Sequence, residues 1–274
     1  MAVVEAYDLG VRYPVLTASA RSLKNKILSR TTGGRIAGNS AGFVEVQALS
    51  EVNFTFHPGD RVALIGHNGS GKSTLLRVLA GIYHPTSGKI RMEGRVAALF
   101  DAGFGMDFDA TGYENIVLRA KYLGIPRSEI DRRMDEIVRF SELGEFMEMP
   151  IRTYSLGMTA RLAFAISTSV EADILLVDEG ISAGDAAFMA KADRRLRNFI
   201  DRSQIVVFAS HDQRTMMSLC TRGVVLQSGK LLFDGPVGDA YAYYDKLVGI
   251  AIPASESVRA GSENSDSRIS EVSA

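Results

Sequence analysis

The stretch Gly66-His67-Asn68-Gly69-Ser70-Gly71-Lys72-Ser73-Thr74 constrains this chain more than any other. It follows the apolar run Arg61 to Ile65 and opens Ser73 to Leu79, whose apolar residues fall at helical spacing. Glycines between a strand and a helix let the backbone turn several N–H groups toward one point, and the helix start adds partial positive charge. An anion of phosphate type suits that cradle. The plainer reading is a glycine-rich turn with a surface lysine, but the strand-then-helix setting argues against it. Lys72 is placed to reach the outer phosphates of a nucleotide, and the Ser73 hydroxyl to ligate Mg2+.

Around this loop the chain reads as an α/β protein. Val3 to Tyr7, Val52 to Phe56, Arg61 to Ile65, Val96 to Phe100, Ile174 to Val177 and Ile205 to Ala209 have strand character. Ser73 to Leu79, Tyr113 to Leu123, Ser128 to Leu143, Met158 to Val170, Ala187 to Asp201 and Asp212 to Leu219 have helical periodicity. Their alternation predicts a mainly parallel sheet with crossover helices, with a helix-rich subdomain inserted over about 100–156.

Composition excludes several classes. With 31 basic and 32 acidic residues the net charge is -1, so no global positive field draws nucleic acid. One cysteine, Cys220, cannot form an internal disulfide, and no Cys/His metal pattern or secretory signal is present. No apolar run reaches the roughly 20 residues that a membrane-spanning helix needs, so membrane work is expected to fall to a partner.

A second site of chemistry lies at Ile174-Leu175-Leu176-Val177-Asp178-Glu179, an apolar strand ending in two acids. In a protein that cradles nucleotide phosphates this is where a metal-side carboxylate belongs. Asp178 is expected to hold Mg2+ through water, and Glu179 to polarise the attacking water. A strand end capped by two solvated acids is the alternative.

From about Val3 to Leu247 the chain resembles the ATP-binding subunits of ABC transporters. Tyr154-Ser155-Leu156-Gly157-Met158-Thr159, followed by Ala160-Arg161-Leu162-Ala163-Phe164-Ala165, is similar to that family's LSGGQ-x-x-R signature. Leu156 stands where the first glycine is usual, and Met158 and Thr159 replace a glycine and a glutamine. The resemblance implies that Ser155 and Gly157 meet the γ-phosphate held by a second subunit, so that a homodimer sandwiches two ATP molecules. It further implies that Asp185 contacts the opposing subunit, that His211 touches the γ-phosphate, and that Tyr13, after the first strand, stacks on adenine. The loop Leu99-Phe100-Asp101-Ala102-Gly103-Phe104-Gly105 occupies the place of the family's Q-loop without a glutamine, Asp101 being the nearest polar substitute and a weak metal candidate. ATP and Mg2+ are the implied cofactors.

The glycine-rich loop, the Tyr-Ser-x-Gly-Met signature and Gly184-Asp185-Ala186-Ala187-Phe188 resemble the branch that exports O-antigen, teichoic acid, capsule or related envelope polysaccharides. That branch implies an integral membrane permease dimer as partner, a lipid-linked polysaccharide as cargo, and a place on the cytoplasmic face of the plasma membrane. Exporters of a drug or a lipo-oligosaccharide, or a soluble ABC ATPase outside transport, are the alternatives.

The ATP-binding domain is expected over 1–248. Within it, 14–46 reads as an insertion in which Leu23, Ile27 and Leu28 share one face of a helix from Ser19 to Arg30 and Arg21, Lys24, Lys26, Arg30 and Arg35 add charge. By resemblance it is a gate helix beside the channel entrance; a solvated amphipathic helix is the plainer reading. Residues 249–274, with seven serines and no aromatic residue beyond Pro253, read as a flexible tail without a chain-end recognition domain.

Overall fold

The computed structural model describes residues 1–15, 36–38, 44–99, 103–178 and 186–249. In chain order the first half runs β1 (Val3–Val15), β2 (Ile36–Gly38), β3 (Val44–Phe56), β4 (Arg61–Ile65), α1 (Lys72–Leu79), β5 (Ser87–Glu93), β6 (Val96–Leu99) and α2 (Gly112–Tyr122). The second half runs α3 (Arg127–Ser141), two short 3-10 turns, α4 (Leu156–Ser167), β7 (Ile174–Asp178), α5 (Ala186–Arg202), β8 (Ile205–Ala209), α6 (Gln213–Leu219), β9 (Arg222–Gln227), β10 (Lys230–Pro236) and α7 (Val237–Leu247).

The apolar runs explain the layering. Along β4, β7 and β8 successive side chains enter different cores: Val62, Leu64, Ile174, Leu176, Ile205 and Val207 on one face, Ala63, Ile65, Leu175, Val177, Val206 and Phe208 on the other. Because side chains alternate across a strand, a run that is apolar throughout suits a sheet covered on both faces. These strands form a six-stranded sheet of order β10-β9-β4-β8-β7-β6, in which only the β10–β9 pair is antiparallel. A separate antiparallel sheet has the order β2-β3-β1-β5. Leu75, Leu76, Val78 and Leu79 of α1 fill the space between the two sheets.

Five elements escape the sequence reading: β2, β5, β9, β10 and α7. Two others are longer than expected. The first strand continues past Tyr7 to Val15, kinked where Asp8 takes a φ of 47° and trades hydrogen bonds with Asn53 at 2.8 and 3.0 Å. Tyr13 therefore lies within the strand, opposite Val46, and not after it. Pro14 and Val15 pair with Glu45 and Val44, so the ladder takes up both ends of the expected 14–46 insertion. The expected gate helix, the tail, and Asp101, Glu179 and Asp185 lie outside the described residues.

Polar side chains tie the remaining pieces. Asn115 of α2 is fully buried; its Nδ2 lies 2.8 to 3.0 Å from the carbonyls of Asp107, Ala110 and Thr111, and its Oδ1 accepts from Asp107 N at 2.8 Å. Thr111 caps the same helix in a reciprocal box with Glu114. At the opposite end of the sheet from the glycine loop, Arg61 donates to the carbonyls of Ile200 and Ser203 at 3.1 and 2.9 Å, placing a cation on the C-terminus of α5.

Candidate active site

The glycine loop spans the C-terminal end of β4 and the start of α1, where ligands of open α/β sheets bind. Gly66 has a φ of 151°, and a Cβ there would stand 2.3 Å from the Leu226 carbonyl oxygen, so only glycine fits. Gly71, at φ 117°, is the N-cap of α1 and offers no side chain to its first-turn N–H groups. Lys72 is buried, its Nζ donating to the carbonyls of Gly66 and His67 at 2.5 and 3.2 Å. The loop thus curls around its own ammonium. Ser70 is also buried, and among the described residues its Oγ has no hydrogen-bond partner. An orphaned hydroxyl costs about 1–3 kcal/mol, the kind of local cost found where a loop is shaped for a ligand and not for stability alone.

Asn68, Gly69, Gly71, Lys72, Ser73, Thr74, Asp178 and His211 line one cleft of about 370 Å³, walled by Val46 and Ala48 of β3. Asp178 ends β7 and His211 follows β8, and these strands are neighbours with Asp178 opposite Ala209 in the register. Parallel pairing is what brings residues 33 positions apart to one rim. The donor set fits a nucleotide: an ammonium and helix-start N–H groups suit phosphate, and the Ser73 hydroxyl with the Asp178 carboxylate suits a hard divalent cation. His67 stays exposed, its Nδ1 2.7 Å from the Asn68 carbonyl oxygen.

Tyr13 approaches this site differently from the expectation of a free stacking face. Its hydroxyl is 2.7 Å from the Thr74 Oγ1, and its ring meets Tyr83 edge-on at 5.5 Å. Burial raises the phenol pKa, with the Thr74 hydrogen bond acting in the opposite sense.

The signature residues sit elsewhere. Ser155 is the N-cap of α4, its Oγ accepting from Met158 N at 3.2 Å, and the Leu156 side chain beside it is 81% exposed. Ser155 and Gly157 line a second depression with Phe146 and Arg161, which shares no residue with the cleft around Lys72. This helix start is itself stapled to the loop before α2: Ile151 N donates to the Ala110 carbonyl at 3.0 Å, Arg152 N to Phe108 at 2.9 Å, and Arg152 pairs with Asp109. Asn115 and Arg119, the latter buried on α2 with its Nη1 donating to the Phe104 carbonyl at 2.6 Å, have structural roles that the sequence does not announce, because polar residues on amphipathic helices ordinarily read as solvent-facing.

Comparison with known proteins decides the family. Residues 49–182 match the family described as ABC transporter. Over 222 residues the chain is 48% identical to the O-antigen export system ATP-binding protein RfbE of Yersinia enterocolitica, covering 81% of this chain and 93% of that protein. The chain belongs to the ABC transporter ATP-binding family. This ABC subunit is also 37% identical over 229 residues to the teichoic acids export ATP-binding protein TagH of Lactococcus lactis, covering 84% of this chain and 48% of that protein. Its fold matches the solved ATP-binding subunit of an ABC transporter with a TM-score of 0.63 at 20% identity, covering 90% of this chain and 94% of that one. A dimeric ATP-binding cassette in a post-hydrolysis state with ADP and Pi gives 0.61 at 20% identity, covering 85% and 98%. Among the described residues of the ABC subunit, no helix is long and apolar enough to cross a membrane.

Proposed function

We propose that this chain is the ATP-hydrolysing subunit of an exporter that moves a lipid-linked envelope polysaccharide across the cytoplasmic membrane, acting as a homodimer on an integral membrane permease. The observation that carries the reading is the division of the site. Lys72, Asp178 and His211 share one cleft, while Ser155 and Gly157 stand on an exposed helix start outside it. A second copy supplies what one chain does not assemble. The polysaccharide cargo is supported by relatives named for O-antigen and teichoic acid export.

In this account the residues divide the chemistry as follows. Lys72 and the first-turn N–H groups of α1 hold the outer phosphates, where preorganised donors stabilise charge as it develops. Ser73 and Asp178 hold Mg2+, which neutralises phosphate charge when bound. Glu179 orients the attacking water, and His211 donates toward the γ-phosphate from the rim. Ser155 and Gly157 of the second subunit close the sandwich, with Asp185 across the interface. Leu156 and Asp101 stand where the family pattern is altered, and neither takes a step here.

The experiment is a Lys72→Ala exchange in cells that make the polysaccharide. Surface polymer should disappear while lipid-linked polymer accumulates inside; normal surface polymer would overturn the export reading. Charge reversal at Arg21, Lys24 and Lys26 should reduce export with basal hydrolysis intact, and unaffected export would remove the gate role from that segment.

A further inference from the structure

Phe140, near the end of α3, is 8% exposed, and its ring is approached from two other helices. From α5, Arg195 Cζ lies 4.3 Å and Lys191 Nζ 4.6 Å from the ring centroid. Phe164 of α4 stacks on it at 5.9 Å, and Phe188 of α5 meets it edge-on at 5.6 Å. Arg161 of α4 in turn lies over the Phe188 ring at 4.7 Å. The cations are hydrogen-bonded as well. Arg195 Nη2 is 3.0 Å from both the Glu136 carboxylate of α3 and the Thr168 carbonyl at the end of α4. Lys191 donates to the Phe140 carbonyl at 3.2 Å and to Glu142 at 2.7 Å.

Apolar side chains alone would pack three helices. Instead two cations sit on one ring, and burial depresses the Arg195 guanidinium pKa while Glu136 opposes the shift. Partly desolvated cations over aromatic faces fix an orientation, because both the ring quadrupole and the hydrogen bonds are directional. Position gives the orientation a use. The joined helices lead to different nucleotides: α5 follows the strand that ends in Asp178, and α4 begins at Ser155.

We propose that Arg195 and Phe140 are positioning residues whose contact sets the start of α4 relative to the end of β7, so that each subunit offers its signature serine and its acidic strand end in one fixed geometry. The inference rests on the two-chain reading of the ATP site. Neither residue touches nucleotide, so both act through the elements they hold.

The test uses the full chain. Arg195→Met and Phe140→Leu should leave the ATP concentration for half-maximal rate within about twofold and lower kcat about tenfold. Arg195→Lys should recover part of the loss, since it keeps a charge over the ring but cannot form the same two hydrogen bonds. Combining Arg195→Met with Phe140→Leu should cost no more than the worse single change, as expected for one shared contact. In a Glu179→Gln background, Arg195→Met should weaken ATP-driven dimerisation about tenfold without changing nucleotide binding to the monomer. Lys191→Met, at the solvent side of the ring, repeats the test without disturbing the core. Unchanged kcat and dimerisation in folded Arg195→Met and Lys191→Met proteins would overturn the joint. Failure of the Glu179→Gln chain itself to dimerise with ATP would instead overturn the two-chain reading.

Discussion

The hydroxyls of Tyr13 and Thr74 stand 2.7 Å apart and fasten the antiparallel sheet to the first turn of the helix that begins at Lys72. Tyr13→Phe removes this bond but keeps the ring against Tyr83. It should lower unfolding free energy by about 1 kcal/mol, measured in urea, and weaken ATP binding about threefold by loosening Thr74. Equal stability and affinity would show that the bond does not hold the loop.

Asn115 satisfies the backbone of 107–111 from a fully buried position. Asn115→Ala takes the acceptor from Asp107 N and one donor from each of the three carbonyls, which keep their backbone partners, and should cost about 2–3 kcal/mol in chemical denaturation. Asn115→Asp should cost at least as much, because a carboxylate cannot donate to the three carbonyls that surround it. A smaller loss for Asp than for Ala would contradict this assignment.

Cys220 is buried, and burial pushes its thiol up to about 12 from 9.0. The sign follows from linkage. The unfolded chain loses this proton near pH 9 while the folded chain keeps it, so stability is intact below pH 9 and declines as pH rises toward 12, by up to about 4 kcal/mol. In Cys220→Ala the decline over this range should be shallower in urea titrations. In the native protein near pH 8, a thiol reagent should react with Cys220 only after denaturant is added. Fast native labelling would contradict the buried assignment.

The parts of this molecule legible in its sequence are those where local chemistry and global fold agree. Gly66, Gly71 and Lys72 carry their geometry in their residue types, and Ile174 to Val177 advertises a doubly covered strand. Edge elements do not. Ser87–Glu93 forms β5 with only Ile90 and Met92 half buried, so its alternating polar pattern resembles a loop. The β9–β10 hairpin turns at Ser228-Gly229, where φ values of 51° and 79° form the two-residue turn that matches strand twist. Tyr13 shows a different limit: its residue type suits adenine stacking, while its hydroxyl bond to Thr74 depends on the register of β1 against β3. Ser155 is a residue type that suits the helix cap it forms, but its separation from the Lys72 cleft is a property of the tertiary structure.

The central claim, that two chains close over nucleotide held by Lys72 and Asp178 of one and Ser155 of the other, is tested most directly by sedimentation of the Glu179→Gln protein with and without ATP and Mg2+. The account predicts monomers without nucleotide, dimers with it, and hydrolysis reduced to about a hundredth of wild type. It also predicts that adding Ser155→Arg returns the ATP-bound protein to monomers. Monomers at saturating ATP in the Glu179→Gln protein, or wild-type turnover, would contradict it.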